Sequence, residues 1–182
     1  MKKLPKYYRF DDFLKGSLGK ELVKSLLERS GYTVCSYGYE ETLLDAKSKY
    51  SYKKYNSKTG HRLTHSPDLL VYDDKDIMML VEVKTRGKSP PYINSDETNN
   101  LKEFWNDSIL AIVVPEGNVF YAKRTDELEI QPDRTNVCYP LSGLQKFQDI
   151  FTRVSSEDIS RCKDIALQIL QIFVTKKETS EQ

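Results

Sequence analysis

The chain has 182 residues, which suits one folded domain, and its 28 Lys and Arg nearly balance its 27 Asp and Glu, so total charge alone indicates neither a nucleic-acid nor a membrane partner. The three cysteines, Cys35, Cys138 and Cys162, are too widely spaced for a disulfide framework or a zinc knuckle, and no stretch approaches the roughly 18 apolar residues of a membrane span. We therefore expect a soluble, cytoplasmic protein with no membrane contact, folded over residues 1–175 and followed by a flexible tail at 176–182.

The first predicted element is a helix from 17 to 30, in which leucines recur every four residues on one face. Gly31 supplies a stop signal for this helix. Residues 32–39, which are rich in aromatic and β-branched side chains, are typical of a strand.

A basic, aromatic insert follows at 46–66, with six Lys or Arg, three Tyr, both histidines and no acidic residue. Residues 1–66 hold 14 basic and 7 acidic side chains, whereas residues 67–182 hold 14 and 20, so the cations are concentrated in the first third of the chain. Cations neutralise phosphates and tyrosines stack on bases, so we expect the insert to contact DNA as a protruding ribbon with a hairpin tip at 55–61. The alternative is a solvated loop. The expected contact residues are Lys47, Lys49, Tyr52, Lys53, Lys54, Tyr55, Lys58 and Arg62.

The remaining elements alternate between paired strands and helices. The stretches 66–74 and 77–86 flank an acidic turn and predict an antiparallel hairpin, as do 108–114 and 117–124. A short helix is predicted between the two pairs, and a longer helix with an apolar stripe closes the chain from residue 155. This order predicts a mixed α/β fold with a central mixed sheet of about five strands flanked by helices.

Glu82 and Lys84 continue the apolar strand of the first hairpin and, because side chains alternate along a strand, point to the same face. A charged pair at this position needs a further partner, and a hairpin of this length places Asp68 beside Glu82. Two adjacent carboxylates repel each other unless a proton or a cation lies between them, and an oxygen-only site suits Mg²⁺. Lys84 would orient or deprotonate a water molecule there, with a lowered pKa beside the cation.

A third carboxylate is available on the first helix. Glu21 lies just outside the apolar stripe of that helix, on a flank from which it could lean over the sheet. We therefore expect Glu21, Asp68 and Glu82 to converge on one cation.

These motifs resemble the PD-(D/E)xK nuclease superfamily: "SPD" ends at Asp68, "VEVK" contains Glu82 and Lys84, and Glu21 matches a first-helix acid. The pattern is similar, over roughly residues 15–130, to that of archaeal Holliday-junction resolvases. The resemblance implies a restriction-endonuclease-like core and a DNA endonuclease that uses Mg²⁺, with Mn²⁺ as a substitute. It also implies a homodimer. The implied metal ligands are Glu21, Asp68, Glu82 and Val83, and the implied water-activating base is Lys84.

Two other functions and one simpler interpretation stay open. The chain could be a DNA-binding module without catalysis, or a restriction-type enzyme that reads a duplex sequence. More simply, Glu82 and Lys84 could form a surface ion pair while Asp68 caps a turn. The spacing of His61 and His65 is that of zinc helices, but Pro67 follows at once and no glutamate follows His61, so a zinc site is not expected.

Overall fold

A main β-sheet with helices on both faces and a separate two-stranded ribbon make up the fold in this computed structural model. The structure describes residues 6–38, 57–75, 77–86, 90–114, 119–129 and 137–165. The helices are α1 (Lys6–Arg29), α2 (Lys58–Thr64), α3 (Ser95–Phe104), α4 (Phe147–Ile150) and α5 (156–165), with a 3₁₀ turn at Thr125–Glu127.

The strands form a mixed sheet, as the sequence predicts. They are β1 (Thr33–Ser36), β2 (Leu69–Tyr72), β3 (Met78–Thr85), β4 (Tyr92–Asn94), β5 (Ile109–Val114), β6 (Val119–Arg124), β7 (Cys138–Pro140) and β8 (Gln145–Lys146). The main sheet has the order β1-β2-β3-β5-β6-β8, and β4 pairs with β7. Only β3 and β5 are parallel among the paired strands of the described ranges. The five predicted strands are all present, so the predicted architecture is confirmed, and β8 adds a sixth strand of two residues.

The first helix packs on one face of the sheet. Leu22 and Leu26 of α1 are buried in one cluster with Val81 and Val83 of β3, so the predicted apolar face of this helix is confirmed. Gly31 has a positive φ of 83°, which favours glycine and ends the helix before β1. The helix begins earlier than its apolar periodicity predicts, at Lys6.

The opposite face of the sheet holds a second core, formed by β5 and α3. Leu110 and Ile112 of β5 are buried there together with Leu101 of α3. In the parallel register, Glu82 pairs with Leu110 and Lys84 with Ile112, and paired residues share a face. Glu82 and Lys84 therefore point toward α3, away from the core of α1.

The predicted hairpin between β2 and β3 is confirmed by an antiparallel register in which Leu69 pairs with Val81. Asp68 precedes Leu69 and Glu82 follows Val81, so the two acidic residues lie at the same level of adjacent chain segments. The second predicted hairpin, β5 with β6, is confirmed as well.

The predicted hairpin tip at 55–61 is wrong over its described part, because α2 is helical. The Ser57 side chain accepts a hydrogen bond from the backbone of Gly60 at 3.0 Å, which caps the helix at its start. Gly60 is a buried residue within this helix and is not part of a turn. Residues 46–56 of the insert lie outside the described residues.

The closing helix packs on the chain's own core. Ser155 and Asp158 form the predicted cap, in which the Ser155 hydroxyl oxygen accepts from the Asp158 amide at 3.0 Å. Ile159 and Cys162 of α5 are buried with the residues of α1. These two apolar side chains are therefore not available to form a dimer surface, and the homodimer that the resemblance implies stays a prediction. The predicted tail at 176–182 lies outside the described residues. None of the helices in the described ranges is both long and apolar enough to cross a membrane.

Candidate functional site

A cleft of about 590 Å³ opens where α1, α2, β3 and α3 meet. Its described lining includes an equal number of acidic and basic side chains, so their formal charges cancel when the lining residue His65 is neutral. The charged lining residues are Asp68, Glu82, Glu97, Lys20, Lys84 and Arg86.

Asp68 is fixed by both neighbouring strands. Its carbonyl oxygen accepts hydrogen bonds from the amides of Tyr37 at 2.9 Å and Gly38 at 3.2 Å, just after β1. Its carboxylate oxygen Oδ2 accepts from the amide of Val83 at 2.9 Å. The carboxylate is therefore tied to the strand that carries the Glu82 and Lys84 side chains.

Lys20 of α1 reaches the same end of the cleft, a contribution that the sequence interpretation missed. A Cβ placed on Gly38 would lie 3.8 Å from both Lys20 Nζ and Asp68 Oδ1, so the ammonium and the carboxylate are both close to Gly38. The only signal in the sequence was a lysine one residue before Glu21, which is weak evidence without a structure.

Glu82 and Lys84 form the predicted charged pair, with Lys84 Nζ 2.7 Å from Glu82 Oε1. Burial raises the pKa of the Glu82 carboxyl to about 7 despite Lys84, and the negative charges of Asp68 and Glu97 act in the same direction. Burial lowers the pKa of Lys84, but the carboxylates of Glu82 and Glu97 outweigh burial and raise it above its usual value. The predicted lowering of the Lys84 pKa applies beside a bound cation and stays a prediction, because the charged neighbours of Lys84 in this arrangement are carboxylates.

The third carboxylate of the cleft is Glu97 and not the expected Glu21. Glu97 Oε1 lies 3.8 Å from Lys84 Nζ, and Glu97 Oε2 lies 2.7 Å from a guanidinium nitrogen of Arg86. Glu21 is exposed and is not among the lining residues, since helix geometry turns it about 100° from Lys20, which does line the cleft. The role of Glu21 as a ligand stays a prediction. Among the residues that the structure describes, no three acids, histidines or cysteines lie close enough together to hold one metal ion.

The donor set of the cleft nevertheless fits a hard divalent cation. Asp68 and Glu82 are close enough for the charge of one to raise the pKa of the other. Mg²⁺ commonly takes one or two carboxylates and keeps several waters, so these two side chains and the Val83 carbonyl would suffice as oxygen donors. No zinc-type donor set is present in the same described lining, and both ring nitrogens of His65 already face protein atoms, namely the carbonyl of His61 and the amide of Asn100.

The described end of the basic insert contributes Thr64, His65 and Ser66 to the lining of the cleft. Arg62 of α2 is exposed, and its guanidinium carbon lies 4.8 Å from the ring centroid of Trp105. Trp105 in turn meets Tyr37 edge to face, with ring centroids 6.3 Å apart. Lys58 is exposed on the same helix. The other predicted DNA contacts, Lys47, Lys49, Tyr52, Lys53, Lys54 and Tyr55, lie outside the described residues.

The raised pKa of Glu82 predicts a specific dependence of stability on pH. The folded protein holds a proton on Glu82 between a pH of 4.5 and about 7, where the unfolded chain has released it. The contribution of this group to the free energy of unfolding is fully present below that window and is lost as pH rises through it, by up to about 3 kcal/mol. Urea denaturation in EDTA at about pH 5 and about pH 8 should show a smaller loss for Glu82→Gln than for the wild type. Identical losses in the two proteins would contradict the raised pKa.

No protein-family model matches the chain, and no curated protein matches it. Among solved structures, the chain is similar to Hjc, a Holliday junction resolvase from the archaeal hyperthermophile Archaeoglobus fulgidus, with 15% sequence identity and a TM-score of 0.45. The match covers 75% of this chain and 94% of that chain.

Proposed function

We propose that the chain is a Mg²⁺-dependent endonuclease of the PD-(D/E)xK type that hydrolyses DNA phosphodiester bonds, with Mn²⁺ as a substitute cation and a four-way junction as the preferred substrate. The observation that carries the proposal is the placement of Asp68 and Glu82 side by side on adjacent segments, with Lys84 on the same face, in one cleft. The mixed sheet flanked by helices agrees with the fold that the resemblance implies.

Five of the charged side chains that line the cleft have a chemical role in this proposal. Asp68, Glu82 and the Val83 carbonyl would hold the cation, which supplies Lewis-acid stabilisation of the charge that develops on the phosphate. The Lys84 ammonium donates a hydrogen bond that orients the attacking water in line with the leaving oxygen. Lys20 and Arg86 line the same cleft and offer donors to the non-bridging phosphate oxygens.

Clustered carboxylates also favour catalysis over binding alone. A pure DNA-binding surface gains nothing from acids that repel phosphate, whereas a hydrolase needs them to bind a cation. The cleft holds as many acids as cations in its described lining, so a divalent cation would make it attractive to a phosphodiester.

The proposal is tested by cleavage of a labelled four-way junction, a linear duplex, a flap, a single strand and RNA, each with Mg²⁺ or with EDTA. We expect cleavage of the junction that needs the cation. Asp68→Asn, purified in parallel, reports contaminating nuclease, and Asp107→Asn, which neutralises an exposed acid in a turn, is its matched control.

The outcomes separate the proposal from its alternatives. Binding without cleavage on every substrate would overturn the enzyme assignment in favour of a DNA-binding module. Cleavage of duplex at one sequence would replace the junction preference with restriction-type specificity. Equal product from the wild type and from Asp68→Asn would remove the assignment of catalysis to this cleft.

Arg62→Gln should weaken DNA binding without changing the cleavage rate at saturating substrate. Arg62 is exposed on α2, two residues before Thr64, which lines the cleft, and its position over Trp105 limits the freedom of its side chain. Loss of one phosphate contact should reduce the slope of log affinity against log salt by about 0.9. Fluorescence anisotropy across a salt series measures this slope, with Lys75→Gln in the exposed β2–β3 turn as the control. A slope equal to that of the wild type would exclude Arg62 from the interface.

A further inference from the structure

Glu97 is the charged residue of the cleft that the proposed mechanism leaves without a role. Its carboxylate oxygen Oε2 accepts from the amide of Asn94 at 3.2 Å and from Arg86 at 2.7 Å. Both contacts use the same oxygen, and the other oxygen, Oε1, is the one nearer Lys84 Nζ. The capping box at the start of α3 and the Arg86 guanidinium therefore hold Glu97 with Oε1 directed at Lys84.

Arg86 is itself held firmly, so it can serve as a fixed support for Glu97. Its Nε donates to the Tyr92 carbonyl at 2.6 Å and a terminal nitrogen donates to the Thr85 carbonyl at 3.1 Å. Its backbone amide donates to the Val113 carbonyl at 2.9 Å, which ties it to the end of β5. A guanidinium with this many backbone acceptors does not follow Lys84 when Lys84 moves.

Lys84 and a cation would compete for the same carboxylate. Lys84 Nζ lies 2.7 Å from Glu82, which is also a proposed cation ligand. An ammonium that loses its carboxylate partner in a largely buried position is destabilised unless another acceptor is near. Glu97 Oε1 is 3.8 Å away, so a movement of about 1 Å in the flexible lysine side chain would bring it within hydrogen-bonding distance.

We propose that Glu97 is a positioning residue that accepts the Lys84 ammonium when Glu82 binds a divalent cation. The inference rests on the proposed cation site and deepens it. In this arrangement Lys84 changes partners, from Glu82 to Glu97, and stays in the cleft with its charge neutralised. Arg86 and the capping box keep the second acceptor in place whether or not Lys84 is using it.

The test is a double-mutant cycle on cation binding, with Mn²⁺ as the probe and isothermal titration calorimetry as the measurement. The four proteins are the wild type, Glu97→Gln, Lys84→Met and the double variant. Glutamine can still complete a capping box, so Glu97→Gln removes the charge and keeps the helix start. Glu103→Gln, which removes an exposed charge from the same helix, is the matched control.

We expect Glu97→Gln to weaken Mn²⁺ binding about five- to tenfold when Lys84 is present. In the Lys84→Met background there is no ammonium to receive, so the same substitution should change the affinity by no more than about twofold. Glu103→Gln should leave the affinity unchanged. This non-additivity is a result that a purely structural role of Glu97 does not give.

Two different failures can be told apart. Equal losses in both backgrounds, or no loss in either, would overturn the positioning role and leave the cation site intact. If the wild type and Asp68→Asn both fail to bind Mn²⁺, the cation site and the proposed function fall, and the inference falls with them.

Discussion

Lys84→Met should lower the single-turnover rate of DNA cleavage by about 10²- to 10⁴-fold, the range typical for loss of a positioned proton donor or acceptor. Methionine keeps most of the length of the side chain and removes the ammonium, so the attacking water loses its hydrogen bond while the strand retains its packing. The loss should appear in the rate at saturating substrate, because Lys84 acts on the reacting groups. DNA affinity in EDTA should stay within about threefold of the wild type, since one partly exposed charge contributes little to it.

Two further variants make this result specific. Lys75→Met removes a lysine from the exposed turn between β2 and β3 and should cleave at the wild-type rate. Lys84→Arg keeps the charge but replaces a compact ammonium with a planar, always protonated fork, so it should rescue only a small part of the rate. A Lys84→Met rate within about twofold of the wild type, far outside that expected range, would show that the cleft does not use this residue in chemistry.

The placement of Asp68 next to Glu82 follows from sequence because a strand has a strict two-residue period. Apolar residues on one face of β3 put Glu82 and Lys84 on the other face, and the short acidic turn fixes the hairpin register. A shift by one residue would have turned Val81 and Val83 out of the core, so the register has a large energetic preference. The local sequence pattern is sufficient to predict which face of the sheet a side chain occupies wherever burial and strand register are coupled in this way.

The third carboxylate could not be found in the same manner. Glu21 lies on the flank of α1, and Glu97 lies in the first turn of α3. The sequence does not show how α1 is rotated about its axis or how the chain runs from β3 to α3, so it could not decide which of the two acids enters the cleft. Glu97 was recognisable only as the last residue of a capping box that begins at Asn94. Its contact with Lys84 depends on Arg86, whose anchor at the Val113 carbonyl comes from a strand far along the chain. Long-range contacts of this kind are set by tertiary packing.

The basic insert was mispredicted at its described end because glycine has more than one use. The stretch around Gly60 contains the residues that tight turns favour, which is why it suggested a hairpin tip. The same glycine is a buried residue inside α2. The N-cap at Ser57 favours the helical alternative, but its strength of about 1 kcal/mol does not decide between the two structures without tertiary contacts.

Phe147→Ala should lower the free energy of unfolding by about 3–5 kcal/mol, the usual cost of truncating a fully buried phenylalanine. Phe147 has no exposed surface, stacks on Phe151 with ring centroids 4.6 Å apart and meets Phe120 of β6 edge to face at 6.0 Å. Phe151 continues the cluster to Tyr32, at 5.9 Å. These rings connect the C-terminal part of the chain to the sheet behind the cleft, and the four-residue α4 has little stability of its own. The loss is therefore expected to come from packing and from an unfilled cavity.

Urea denaturation followed by circular dichroism measures this loss, because a domain of this size has a total stability on the order of 5–15 kcal/mol. Phe147→Leu leaves part of the cavity filled and should cost less than half as much as alanine. Met78→Ala, which truncates a side chain that is 61% exposed, should change the free energy of unfolding by less than about 0.5 kcal/mol. At a temperature where Phe147→Ala is still folded, its cleavage rate should equal that of the wild type, because the ring lies in the core on the other face of the sheet from Glu82 and Lys84. A loss of activity in the fully folded variant would mean that this core sets the geometry of the cleft, a coupling that the separation of the two faces does not predict.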